Sequence, residues 1–294
     1  MSFFQLIILA IIQGLAELLP VSSSAHVVVA EKLMGLNPSS PEMTLILVML
    51  HTGTMFAVIL YFWNQWRKTY FENPAAFKHF AWLIILATVL TGIIGEGMIK
   101  VIEKTIFRNV PHAQVEDLFS HLELIAPALA AAGILIIIAG LQKKHHDPAD
   151  FEATNRLTTP QAGIIGIIQG FCLPFRGFSR SGATISTGML AGVSKARAES
   201  FSFALAVVLT PIVVGREVLR VLRPAMESGA GSVSVSASGR GILFSLLGAL
   251  FSFLAGLLAL KWLSRWLEAG RWHYFGIYCL IAAIAVFILH RMGY

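Results

Sequence analysis

Six stretches of this chain, at residues 43–63, 79–100, 122–141, 199–221, 239–262 and 273–290, are each apolar over about 20 residues. That is the length at which an α-helix crosses roughly 30 Å of hydrocarbon. Inside hydrocarbon the chain must satisfy its own backbone polar groups, and a helix does so within a single segment. The balance of residues agrees: 56% apolar, 13% charged and a mean hydropathy of +0.74 lie far from a soluble domain. These features describe an all-α polytopic membrane protein. No cleavable signal is expected at the N-terminus, which lacks a basic region and meets its first charge at Glu17. The net charge of +6 is spread over the loops, as membrane-flanking bias rather than a nucleic-acid-binding patch. Cys172 and Cys279 lie in apolar runs without metal-ligand spacing and are expected as packed free thiols.

Two further apolar elements are interrupted. Residues 3–19 and 22–35 are each too short to span, and Pro20 between them lacks an N–H and restricts its predecessor. A re-entrant hairpin over 3–35 follows. Gln13 and Glu17, four apart, share one face of its first helix. An ionisable group at membrane depth costs roughly 2.5–3.5 kcal/mol on insertion scales, so Glu17 is a functional candidate. Ser22, Ser23 and Ser24 suit the cap of the second helix, with His26 one turn on. An acid on one lip of a broken helix and a helix N-terminus on the other outline a site for cations and anions. His51 and Glu96 are further ionisable side chains in apolar runs.

The second interrupted element covers 161–192, with its break at Pro174 to Ser179. Ile11-Ile12-Gln13-Gly14 recurs there as Ile167-Ile168-Gln169-Gly170. Each copy is followed by a proline, then a serine-bearing turn that opens a second helix. Three spans separate the two breaks, so the second hairpin enters from the opposite face. The chain then reads as an inverted repeat: residues 1–141, a polar linker at 142–160 in which His145 and His146 are solvated, and residues 161–294. A Gly/Ser-rich loop precedes the span at 239–262.

The second break carries Arg176-Gly177-Phe178-Ser179-Arg180-Ser181-Gly182-Ala183-Thr184. Arg180 offers a planar, permanently charged fork that matches phosphate oxygens. Ser179, Ser181 and Thr184 add hydroxyls, the helix start near Ser181 adds N–H groups, and Gly177 and Gly182 leave room for close backbone approach. The plainer alternative is that Arg180 pairs with Glu17 or Glu199 to hold the two hairpins together.

Taken together, Q-G-x-x-E-x-x-P-x-S-S-x-x-H from Gln13 to His26 and G-x-S-R-S-G-A-T from Gly177 to Thr184 resemble the bacterial undecaprenyl-diphosphate phosphatases of the bacitracin-resistance type. The likeness covers nearly the whole chain. It implies hydrolysis of undecaprenyl diphosphate to the monophosphate and inorganic phosphate, which recycles the lipid carrier for cell-wall synthesis and confers bacitracin resistance. It also implies residence in the bacterial inner membrane, a pocket opening to the outer face, and dependence on a divalent metal (Mg or Ca) at Gln13 and Glu17. A homodimer is one assembly it allows. Three positions depart from the family pattern: Gln13 where many members have Glu, Arg176 where proline is usual, and Ala25 in place of a common glycine.

The chemistry expected on this reading follows from the residues. A polyprenyl tail gains about 0.8 kcal/mol per buried CH₂, so its diphosphate stays in the bilayer and the site must come to it. Arg180, with Ser22, Ser179, Ser181, Gly182 and Thr184, would hold the diphosphate, and a metal on Glu17 would neutralise developing charge. Ser23 with His26 as base, a His26 phosphoenzyme and direct water attack are alternatives for the nucleophile. A lipid or solute transporter using the same midplane site is the rival from another class. A phosphatidic-acid-type phosphatase needs a late His with an Asp partner, and no Asp follows Asp150. Loops 64–78, 142–160, 193–198 and 263–272 carry about eleven Lys and Arg against about nine opposite, which places them in the cytoplasm and both termini outside.

Overall fold

A computed structural model of the protein describes residues 1–36, 41–105, 122–142, 157–227 and 239–293. Among these residues it is entirely helical, with ten α-helices. They are α1 (Phe3–Leu18), α2 (Ser23–Leu33), α3 (Pro41–Tyr70), α4 (Pro74–Thr105), α5 (Leu122–Leu141), α6 (Thr159–Cys172), α7 (Arg180–Leu190), α8 (Lys195–Glu227), α9 (Gly239–Glu268) and α10 (Trp272–Arg291). Most of the expected linker 142–160, and the Gly/Ser loop before α9, lie outside the described residues.

Local chemistry sets the helix ends. Ser2 and Gln5 form a capping box at the start of α1, Ser2 Oγ accepting from the Gln5 N–H at 3.2 Å and Gln5 Oε1 from the Ser2 N–H at 2.7 Å. Pro20 stops α1 two residues early, as its missing N–H requires. α6 opens with Pro160 in its first turn. At 16, 11, 14 and 11 residues, α1, α2, α6 and α7 are short of a crossing.

Among the described residues, five helices are long and apolar enough to cross a membrane: Ile46–Tyr70, Pro74–Thr105, Leu122–Leu141, Leu243–Glu268 and Trp272–Arg291. The sixth expected span, 199–221, lies within the longer α8, whose side chains are described only in part. Its apolar middle is flanked by Lys195, Arg197 and Glu199 on one side and Arg216, Glu217, Arg220 and Arg223 on the other.

Helices from the two ends of the chain exchange partners. α1 packs along α9, α6 along α4, and α5 along α10. The contacts of α1 and α6 match in detail. A Cβ at Gly14 would lie 2.6 Å from the Ser252 carbonyl oxygen, and one at Gly170 2.9 Å from that of Thr91. Only glycine allows so close a backbone approach. Ser252 and Thr91 also use their hydroxyls across helices: Ser252 donates to the Leu50 carbonyl at 2.9 Å, Thr91 to that of Gly166 at 2.9 Å. Around these seams the core is apolar, one large cluster with a smaller one at Leu9, Ala10, Val27, Met43 and Leu50, and Trp272, Phe201 and Phe203 are its largest fully buried side chains. The indole N–H groups of Trp66 and Trp272 are satisfied by Ser200 and Ser186, each at 2.9 Å.

Candidate active site

The break between α1 and α2 is held from three sides. Ser181 of α7 donates to the Leu19 carbonyl at 3.3 Å, the buried Cys279 thiol of α10 to that of Pro20 at 3.3 Å, and the Gly177 N–H to Ser24 Oγ at 3.4 Å. Both cysteines are free and buried, as expected. Ser22, with φ 68°, is the single non-glycine residue of positive φ among the described residues. Such a backbone costs of order 1–3 kcal/mol and survives where surrounding bonds over-determine it. Here Ser22 Oγ caps α2 at the Ala25 N–H (3.5 Å) and lies 3.2 Å from Ser24 Oγ.

Glu17 projects from the last turn of α1 into this break, and each carboxylate oxygen has a partner from a different hairpin. Oε1 accepts from Arg180 Nη2 at 3.0 Å, and Oε2 accepts from Ser23 Oγ at 2.5 Å. Gln13, one turn back and 1% exposed, donates Nε2 to Glu17 Oε2 at 3.1 Å and to His51 Nδ1 at 2.9 Å. With Nδ1 accepting, the neutral His51 ring carries its proton on Nε2. His51 Nδ1 is 3.6 Å from Glu17 Oε2. The side chains of Glu17 and Arg180 are 16% and 19% exposed, so the pair is recessed but reachable.

Arg180 does both things that the sequence left open. It pairs with Glu17 across the two hairpins, yet its Nη1 is buried with no hydrogen-bond partner among the described residues. A buried guanidinium nitrogen left unsatisfied is costly, and an anion would complete it. The hydroxyls around it are committed to the scaffold. Ser179 Oγ caps α7 at the Gly182 N–H (3.2 Å), Ser181 Oγ holds Leu19, and Thr184 Oγ1 donates to the Arg180 carbonyl at 2.8 Å and meets Ser202 Oγ at 2.5 Å. Gly177 has φ 103°, and a Cβ there would lie 2.5 Å from the Ile125 carbonyl oxygen, so the turn before Arg180 requires glycine.

His26 is turned away from Ser23. Its Nδ1 meets the Ser22 carbonyl at 2.8 Å and its Nε2 the Tyr278 hydroxyl at 2.7 Å. An apolar groove of about 440 Å³ starts at this pair and runs along α2 from Ala25 to Leu33 and along α10 to Leu289, with Leu129 of α5 in its wall.

Sequence reasoning had no means of finding Tyr278, a polar tip within an apolar span, and nothing ranked His51 above Glu96. In the structure His51 joins the Glu17 cluster, while Glu96 is exposed on α4. No group of three or more His, Cys, Asp or Glu that could hold a metal occurs among the described residues. A single carboxylate beside an amide is nonetheless a donor set that suits a hard divalent cation shared with substrate phosphates, the usual arrangement for magnesium.

The family described as bacitracin resistance protein BacA matches residues 6–285. The chain is 56% identical over 280 residues to undecaprenyl-diphosphatase 2 of Acinetobacter baylyi, covering 95% of both chains. It is 32% identical to the undecaprenyl-diphosphatase of Halothermothrix orenii over 98% of both chains. To undecaprenyl-diphosphatase 2 of Burkholderia ambifaria it is 31% identical over 99% of both.

Proposed function

The chain belongs to the bacitracin resistance protein BacA family, and from that premise we propose that it acts as an undecaprenyl-diphosphatase at the Glu17–Arg180 junction. It hydrolyses undecaprenyl diphosphate to undecaprenyl phosphate and inorganic phosphate, returning the lipid carrier to cell-wall synthesis. The observation that carries the site is the unsatisfied, buried Nη1 of Arg180 beside a carboxylate that already holds a serine hydroxyl.

On this reading Arg180 and the N–H groups at the start of α7 grip the terminal phosphate, with Ser22, Ser179, Ser181, Gly182 and Thr184 shaping the cradle. The Ser23 hydroxyl, 2.5 Å from Glu17 Oε2, is the nucleophile with a base in place. Its Oγ bonds to the terminal phosphorus, its proton passes to Glu17, and the bond from that phosphorus to the bridging oxygen breaks, releasing undecaprenyl phosphate. Water then splits the phosphoserine. Gln13 and Glu17 would hold a divalent metal (Mg or Ca), which supplies neutralisation of charge on the diphosphate. The groove between α2 and α10 takes the first isoprene units of the tail.

The finer architecture belongs to the same proposal. The two short-helix pairs are re-entrant hairpins, α8 is the sixth span, and residues 1–141 and 161–294 form an inverted repeat. The matched seams at Gly14 and Gly170 support it. The protein sits in the inner membrane with the site facing outward. The relatives' names give the transport reading no support.

Purified protein, given a long-chain polyprenyl diphosphate, should release inorganic phosphate, and EDTA should suppress the release until Mg²⁺ or Ca²⁺ is restored. Absence of phosphate release in every metal would overturn the proposal.

A further inference from the structure

The bonds made by His26 tell which part of the substrate it faces. The Ser22 carbonyl can only accept, so the 2.8 Å contact places a proton on Nδ1. Nε2 of the neutral ring is then an acceptor, and the Tyr278 hydroxyl donates to it at 2.7 Å. The two rings also stack, with centroids 5.6 Å apart and planes 12° from parallel. His26 is therefore fixed from α2 and α10 at once, in tautomer and in direction.

Tyr278 also lines the groove. From Ala25 and His26 the groove follows α2 to Leu33 and α10 to Leu289, with Ile12 of α1 and Leu129 of α5 also in its wall. Ser23 and His26 stand three residues apart on α2, about one turn, and face different partners. A prenyl diphosphate laid with its tail in the groove has its tail-bearing phosphate at the mouth, beside His26 and Tyr278. Its terminal phosphate would then reach past the start of α2 toward Ser23, which is bonded to Glu17 and through it to Arg180.

We propose that Tyr278 is a positioning residue that holds His26 against the tail-bearing phosphate, so that the His26–Tyr278 pair serves the departing lipid monophosphate while Ser23 and Glu17 act on the terminal phosphate. This rests on the diphosphatase reading above. It separates two phosphate subsites: a buried one built by Arg180 and Glu17, and an outer one at the groove mouth.

The two subsites can be probed with the two products. With farnesyl diphosphate as substrate, wild-type protein, Tyr278→Phe, His26→Ala and the double variant are compared for kcat, for melting temperature, and for inhibition by farnesyl monophosphate and by inorganic phosphate. Tyr278→Phe keeps the stacked ring and removes one hydrogen bond. It should lower kcat by roughly tenfold and raise the Ki of farnesyl monophosphate by a similar factor. Inhibition by inorganic phosphate and the melting temperature should stay as in wild type. In the His26→Ala background Tyr278→Phe should add nothing further, since it acts through the imidazole. Wild-type kcat in Tyr278→Phe, a loss that adds in full to that of His26→Ala, or equal weakening of both inhibitors would each overturn the assignment. Failure of the wild-type protein to release phosphate would instead count against the diphosphatase reading.

Discussion

Ser23 and Arg180 hold the same place in two different hairpins: each is the first helical residue after a serine cap, and each bonds one oxygen of Glu17. Ser22 Oγ accepts from the Ala25 N–H three residues on, and Ser179 Oγ accepts from the Gly182 N–H in the same way. One turn thus delivers a hydroxyl and the other a cation to a single carboxylate.

Glu17→Gln keeps the side-chain shape and removes the charge that Arg180, Ser23 and Gln13 converge on. Turnover should fall by about 10²-fold or more, while the protein still folds and elutes as wild type. Near-normal phosphate release from this variant at low metal would make Glu17 a purely structural residue.

Ser23→Ala should abolish turnover and, with it, any covalent phosphoenzyme. Rapid acid quenching after mixing with substrate labelled on its terminal phosphate should trap an acid-stable phosphoserine in the wild type. An acid-labile adduct would point to His26, and no adduct at all to direct attack by water.

Arg180→Ala should cost about 10²–10³ in rate, the usual loss for one donor aimed at charge growing in the transition state. Arg180→Lys restores the charge without the two-pronged geometry and should recover only part of that loss. Specific activity and melting temperature are to be read on the same preparations. A lower melting temperature with wild-type turnover in the folded fraction would reduce Arg180 to a tie between hairpins.

Gly14→Val and Gly170→Val should destabilise the protein by similar amounts, about 1–3 kcal/mol each as overpacked helix contacts do. Each forces a side chain into the backbone of a neighbouring helix. Thermal melting in detergent measures both. A tolerated Gly170→Val beside a damaging Gly14→Val would break the equivalence of the two seams.

Glu72, exposed in the turn between α3 and α4, and Met292, exposed after α10, lie at opposite ends of the long helices. In intact cells Glu72→Cys should resist an impermeant thiol reagent and Met292→Cys should react, the native cysteines being buried. The reverse pattern would invert the proposed orientation.

What could be seen in the sequence was local. Gln13 and Glu17 at helical spacing, Pro20 as a stop and Ser22 as a cap are rules acting within a few residues, and each feature stands where they put it. Ser23 was visible, but its bond to Glu17 rather than to His26 depends on how the chain turns at Ser22, whose positive φ no serine announces. Tyr278 is 252 residues from His26, and the two meet only because α10, packed along α5, carries Tyr278 to the first turn of α2. His51 and Glu96 looked alike along the chain, and helix packing alone brought the first to Gln13 and left the second exposed.

The resting place of α1 on α9 sets the order in which the molecule can mature. A growing chain stopped at Leu141 already contains Gln13, Glu17, Ser23 and His51, yet the surface that α1 leans on begins at Gly239. Synthesis proceeds from the N-terminus, and contacts this distant in sequence close late. The first hairpin must therefore wait in the membrane with its glycine face uncovered while four more helices are made. Until α9 arrives, there is a motif but no enzyme.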